Sequence, residues 1–178
     1  SCDDADAGSY VPTTGQSSQT ACAEGTYQVD TGQDSCDDAD AGSYVPATGQ
    51  STQSACLAGT YQVDTGQSAC DYASVGNYVP TTGQSNQTTC AVGTYQSATG
   101  QDSCDDADAG SYVPATGQTS QTDCALGTYQ SATGQNSCDD ADAGSYVPTT
   151  GQSSQTACAE GTYQVDTGQD SCDDADAG

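Results

Sequence analysis

CAEGTYQVDTGQDSC, residues 22–36, places a Gly-Thr-Tyr segment and a Thr-Gly-Gln turn between two cysteines. The rest of the chain restates it. Tyrosine recurs at one constant step, through Tyr10, Tyr27, Tyr44 and Tyr61 to Tyr163, and only Tyr72 stands outside the series. Glycine recurs at the same step in two phases, from Gly8 to Gly178 and from Gly15 to Gly168. These two phases account for all 21 glycines. A fixed self-similarity of this kind marks a tandem repeat protein.

Cysteine and proline keep a period twice as long. The eleven cysteines, at 2, 22, 36, 56, 70, 90, 104, 124, 138, 158 and 172, alternate a long spacing with a short one, and proline occurs only at 12, 46, 80, 114 and 148. The full repeat is therefore a 34-residue unit, made of a long half such as Cys2–Ala21 and a short half such as Cys22–Ser35. The expected divisions are 2–35, 36–69, 70–103 (the divergent copy), 104–137 and 138–171, with 172–178 beginning a further repeat. Residues 1–42 and 137–178 are identical, so the sequence reads as part of a longer array.

Composition narrows the fold class. The 178 residues contain no Lys, Arg, His, Phe, Trp or Met, and the formal net charge is -25. One tyrosine and one or two small apolar residues per half-repeat cannot enclose a globular core. Order must come from backbone hydrogen bonds, stacking of units and disulfides. A 34-residue period also suits paired-helix repeats. However, two glycines interrupt every half-repeat, and Gly, Asp and Ser form helix poorly. Tyr, Val and Thr in GTYQV and GSYVP favour short strands, and Thr-Gly-Gln reads as a turn whose glycine takes positive φ. The expected fold is all-β and disulfide-rich, an elongated tandem array of short β-hairpin modules. In a solenoid of 17-residue rungs the cysteines would fall out of line, which favours a string of modules.

Cysteines at fixed spacing with no histidine point to disulfides and an oxidising compartment rather than to zinc. Two neighbour registers are open. One closes the long loops from Cys2–Cys22 onward. The other closes the short loops as Cys22–Cys36, Cys56–Cys70, Cys90–Cys104, Cys124–Cys138 and Cys158–Cys172, leaving Cys2 over. The short register is favoured, because the shorter unit has less sequence in which to build its own structure and its Gly and Gly-Gln turns can bring its ends together; a loop of that size contributes roughly 3 kcal/mol in the chain-entropy account.

With cysteine and glycine at these positions, C-x-x-G-T-Y-Q-x-x-T-G-Q-x-x-C resembles the short cysteine-rich module of ephrin-receptor-like repeats. It is also similar to the first sub-module of tumour-necrosis-factor-receptor repeats. The match covers Cys22–Cys36 and its four copies, and reaches the long half only through Gly8, Tyr10 and Gly15. The CxxC link between modules in those families is absent here. The resemblance implies an extracellular, elongated, loop-rich β module.

The Asp-Asp-x-Asp-x-Gly stretches are the candidate ion sites. Asp4 and Asp6, with Asp38, Asp40, Asp106, Asp108, Asp140, Asp142, Asp174 and Asp176, offer pairs of carboxylates beside a glycine. Calcium takes six to eight oxygens of this kind, and no cofactor other than calcium is expected. The alternative is a solvated acidic turn. The divergent copy retains only Asp71, and acids per repeat run 6, 4, 2, 4, 6 from Cys2 onward. The tyrosine series reads as an internal ladder of rings, the alternative being a row of exposed rings for sugar or partner binding. Asn86-Gln87-Thr88 has the form of an N-glycosylation acceptor, and Ser/Thr-rich SSQT, STQS and ATGQ suit O-glycans.

Several classes fall away. Without a basic residue the chain cannot neutralise phosphate, so nucleic acid is excluded as a partner. No His or Lys base is available for catalysis, and the carboxylates occur only in copies. Thr-Thr pairs at 13–14 and 81–82 do not make the flat Thr-x-Thr array of an ice binder. No stretch approaches the ~20 apolar residues of a membrane span. The sequence therefore predicts a structural protein of the cell surface or extracellular space, the shaft of a filament, hair or adhesin stalk. Its partners would be other copies of itself and glycans. The alternative is a receptor-like ligand-binding ectodomain, for which the altered residues 70–90 would be the binding patch.

Overall fold

The computed structural model describes residues 3–175. It is all-β, with strands of two residues each. β1 (Ser9–Tyr10) pairs with β2 (Thr20–Ala21), and β3 (Thr26–Tyr27) pairs with β4 (Asp37–Asp38). The same two hairpins alternate to Thr162–Tyr163 and Asp173–Asp174, making ten two-stranded sheets among the described residues. Register is conserved: Tyr10 faces Thr20, and Tyr27 faces Asp37.

The first strand of each hairpin falls on the Gly-Ser-Tyr or Gly-Thr-Tyr segment, where β-favouring residues lie. The second does not. Asp37–Asp38 is a strand although aspartate disfavours one, and it belongs to the DDADAG stretch, whose sequence suggests an ion-binding loop or a solvated acidic turn. Pairing wins because the Thr-Gly-Gln turn and the bond at Cys36 bring this segment alongside Thr26–Tyr27. All twenty described glycines have positive φ, between 69 and 89°.

The chain folds as two compact units. Among the described residues, one comprises 3–74, Tyr78–Thr88 and Thr99–Ser103; the other comprises Val75–Asn77, Thr89–Ala98 and 104–175. In the first, successive 17-residue rungs are joined backbone to backbone. Gly8 N–H donates to Gln28 O (2.8 Å), Val11 N–H to Gln33 O (3.0 Å) and Gly32 N–H back to Ala5 O (2.8 Å). One rung on, Gly25 donates to Val45, Gln28 to Gln50 and Gly49 to Cys22. The second unit has the same pattern, with Gly93 donating to Val113, Gln96 to Gln118 and Gly134 to Ala107. The tandem array of hairpins is present as expected, but its members are not independent modules on a string. Rung-to-rung hydrogen bonds satisfy the backbone that so few side chains could cover.

Contact also reaches two rungs ahead. A Cβ on Gly8 would overlap the Gly49 carbonyl oxygen, and one on Gly110 would overlap that of Gly151. This glycine phase is required twice over, by φ and by close approach.

The core is a pair of columns rather than a stack of rings. One column alternates Ala and Cys. In the first unit it runs Ala5, Cys22, Ala39, Cys56 and Ala73, and all but Ala5 are wholly buried. The other column alternates Gln and Val, from Gln28 through Val45 and Gln62 to Val79. The second unit, taken by itself, has the same alternations, with Cys90, Ala107, Cys124 and Ala141 in one and Gln96, Val113, Gln130 and Val147 in the other. Most tyrosines of the series are half-buried, so the expected internal ladder of rings is corrected. Alanine, cysteine and valine fit the space between closely spaced rungs, and the larger rings lie at the margin.

Candidate functional site

Each half closes its loop in its own way. In the short half, Cys22 is bonded to Cys36 with a Cα–Cα distance of 5.8 Å. Cys56–Cys70, Cys90–Cys104, Cys124–Cys138 and Cys158–Cys172 repeat it, all at a sequence separation of 14. Cys2 lies outside the described residues. Beside the disulfide, buried Gln28 donates from Nε2 to Ser35 O (3.0 Å), and its Oε1 accepts from Asp30 N–H (3.0 Å). A buried amide is tolerable only when satisfied in this way.

In the long half a glutamine makes the closure. Gln19 Nε2 donates to Asp6 Oδ2 (2.7 Å), and Gln19 Oε1 accepts from Asp6 N–H (2.7 Å). Gln53 holds Asp40, Gln121 holds Asp108 and Gln155 holds Asp142 in the same two-bond clasp. The divergent copy has Ser74 in place of the aspartate, and only the bond from Ser74 N–H to Gln87 Oε1 is formed (2.7 Å). Sequence reading missed both glutamines, since Gln looks like generic loop polarity. The alternation of Val and Gln after each tyrosine, from one rung to the next, was the usable signal.

The paired aspartates expected as ion ligands face different neighbours. Asp6 and its copies are held by glutamine. Asp4 lies against the turn glycine Gly32, as Asp38 does against Gly66, Asp106 against Gly134 and Asp140 against Gly168. Asp174 is in an exposed strand, and Asp176 lies outside the described residues. Among the described residues no three acidic or cysteine side chains converge as a metal-ligand group. Asn86 is exposed, with its amide nitrogen 3.2 Å from Ser85 Oγ.

One departure from the repetition brings two large exposed side chains to the same hollow. At the position of Asp4, Asp38, Asp106 and Asp140 stands Tyr72, 71% exposed. At the position of Ala23, Ala91, Ala125 and Ala159 stands Leu57, 69% exposed. With Tyr44, Ala58, Thr60 and Gly100 they line a shallow notch of about 370 Å³ inside the first unit. The Tyr72 ring lies on the turn glycine, its Cδ1 2.9 Å from where a Cβ on Gly100 would be. The equivalent hollow one repeat earlier is lined by Tyr10, Thr20, Ala21, Ala23, Thr26, Ser35 and Cys36, with no large aliphatic side chain.

The chain matches no family model and no curated protein. No helix among the described residues is long and apolar enough to cross a membrane.

Proposed function

We propose that the chain is a structural protein of the extracellular space, the disulfide-stapled shaft of a surface filament, hair or adhesin stalk, which assembles with copies of itself and performs no catalysis. The observation that carries this reading is the backbone ladder linking each rung to the next within both compact units. Such a ladder resists extension over the whole repeat, and disulfides lock every second rung against unravelling. Five disulfides suit an oxidising compartment. The resemblance to ephrin-receptor-like short repeats points to the same location. The absence of Lys and Arg leaves no trypsin-type cleavage site. At a net charge of -25 the surface gathers counter-ions, calcium among them, and stays hydrated. A glycan on exposed Asn86 would extend that hydration.

Electron microscopy of the native, unreduced material tests the proposal. Uniform filaments with an axial repeat, which fray on reduction, are the expected result. Isolated particles with unchanged appearance after reduction would overturn it. Chelation by EDTA is expected to leave the thermal midpoint essentially unchanged, as diffuse counter-ions require; a large drop would mean ligated calcium at the Asp4–Asp6 type of pair.

A second reading is favoured by the Leu57–Tyr72 notch, which is not repeated: a receptor-like ectodomain that binds a ligand there. It predicts a soluble partner that competes for this notch and for no other rung.

A further inference from the structure

The notch differs from its copies by three coincident changes. Where the first copy of the site has Ala23, Glu24 and Asp38, the second has Leu57, Ala58 and Tyr72. An acid is lost at two of the three positions and apolar bulk is added at two. The other copies of the site retain the aspartate: Asp106, Asp140 and Asp174. Neither this notch nor its first copy has a charged side chain in its lining, but only this one gains exposed Leu57 and Tyr72, on a chain of net charge -25. Exposed apolar surface rimmed by polar residues marks an interaction site. Tyr72 rests against Gly100 on one side and is 71% exposed.

We propose that this notch is a self-association surface, and that its occupant is the same notch of a second copy of the chain. Charge decides the occupant. A cationic partner would be drawn to the first and fifth repeats, with six acids each, rather than to the notch, whose residues fall in the second and third repeats, with four and two. Another acidic copy is repelled everywhere, and least where acids are fewest. Apposing two copies across a two-fold axis at Tyr72 and Leu57 brings the acid-poor stretches together and exchanges exposed apolar surface for contact. The proposal rests on the reading of the chain as a self-assembling shaft and names the surface through which two shafts would join side by side. The patch is small against the ~1,200 Å² of a stable interface, so a single pair is weak, with a dissociation constant on the order of 0.1 mM.

Sedimentation equilibrium from micromolar to millimolar chain, in low and in half-molar salt, tests it. The wild-type chain is expected to dimerise, and to do so more tightly in high salt, because salt screens the repulsion between the two acidic copies. Tyr72→Asp and Leu57→Ala install the residue that other repeats carry at the same position, so both variants retain a side chain this fold already accommodates. Unchanged circular dichroism and the full set of disulfides check this. Each is expected to weaken association at least ~10-fold, Tyr72→Asp more because it sets like charges opposite each other. A wild-type monomer at every concentration and salt overturns the proposal, as does association that both variants leave intact. A monomer whose Tyr72 resonances shift on titration with a neutral oligosaccharide also overturns it and assigns the notch to sugar. Native filaments that keep their lateral packing with Tyr72→Asp would leave the shaft reading standing while removing this surface from it.

Discussion

The long and short halves share one backbone track, yet they are closed by different chemistry. Laid over each other at the 17-residue offset, Ala5 falls on Cys22 and Gln19 falls on Cys36. The disulfide of the short half and the Asp6–Gln19 clasp of the long half are thus two solutions at one place. One is covalent and anchored at wholly buried Cys22; the other is a pair of exposed hydrogen bonds. Both halves keep the same hairpin register, so side chains are expected to decide which rung carries a cross-link. The misalignment of neighbouring cysteines has the same origin: Cys22 and Cys36 belong to different columns.

The shared track should fail equally in both halves. A Cβ on Gly42 would overlap the Gly83 oxygen, and one on Gly59 would overlap the Gly100 oxygen. Gly42→Ala and Gly59→Ala are each expected to cost ~3 kcal/mol or more, from left-handed strain plus overpacking. Gly83→Ala meets no atom within 4 Å and should cost only ~1–2 kcal/mol from φ alone. Urea midpoints read this directly, and unequal losses at Gly42 and Gly59 would break the equivalence of the halves.

Next in size is the transplanted closure. Ala39→Cys with Gln53→Cys puts cysteines where Cys22 and Cys36 stand in the short half. A sixth disulfide should form without rearrangement and add ~3 kcal/mol. Peptide mapping under non-reducing conditions would detect it, and free thiols at both positions would mean that the two halves differ in backbone as well as in side chain.

The glutamine clasp is smaller. Gln53→Ala removes two exposed hydrogen bonds and should cost ~1–2 kcal/mol by denaturant titration. Gln87→Ala, which removes one, should cost about half as much. The smallest expected effect is a gain: Ser74→Asp restores the second clasp bond in the divergent copy, for ~0.5 kcal/mol.

Much of this fold was legible in the chain, and the parts that were not have physical reasons. Glycine phase and the Tyr10 and Tyr27 segments indicate strand, turn and repeat directly, because positive φ and β-favouring side chains are local properties. The second strand of each hairpin was not legible at Asp37–Asp38, since pairing there is imposed by the turn and not by propensity. Rung-to-rung bonding was also hidden. Gly8 N–H and Gln28 O are joined through backbone atoms common to all residues, so no side-chain pattern reports it. At the candidate site, the exchange of acid for Tyr72 stood out in the sequence. Its joining with the distant Leu57 appears only once the hairpins are folded.

The alternating Ala/Cys column has a consequence for how such a chain can change length. Near-identical copies invite unequal recombination, and residues 1–42 duplicate 137–178 without a difference. Loss of a single rung across a long half would set Cys22 and Cys56 on consecutive rungs of one column, with two bonding partners to sort among four neighbouring thiols. Loss of a whole repeat restores the alternation of Cys with Ala and of Gln with Val. Viable length variants should therefore differ by whole repeats and never by half of one, so disulfide chemistry sets the quantum of inheritance for the array.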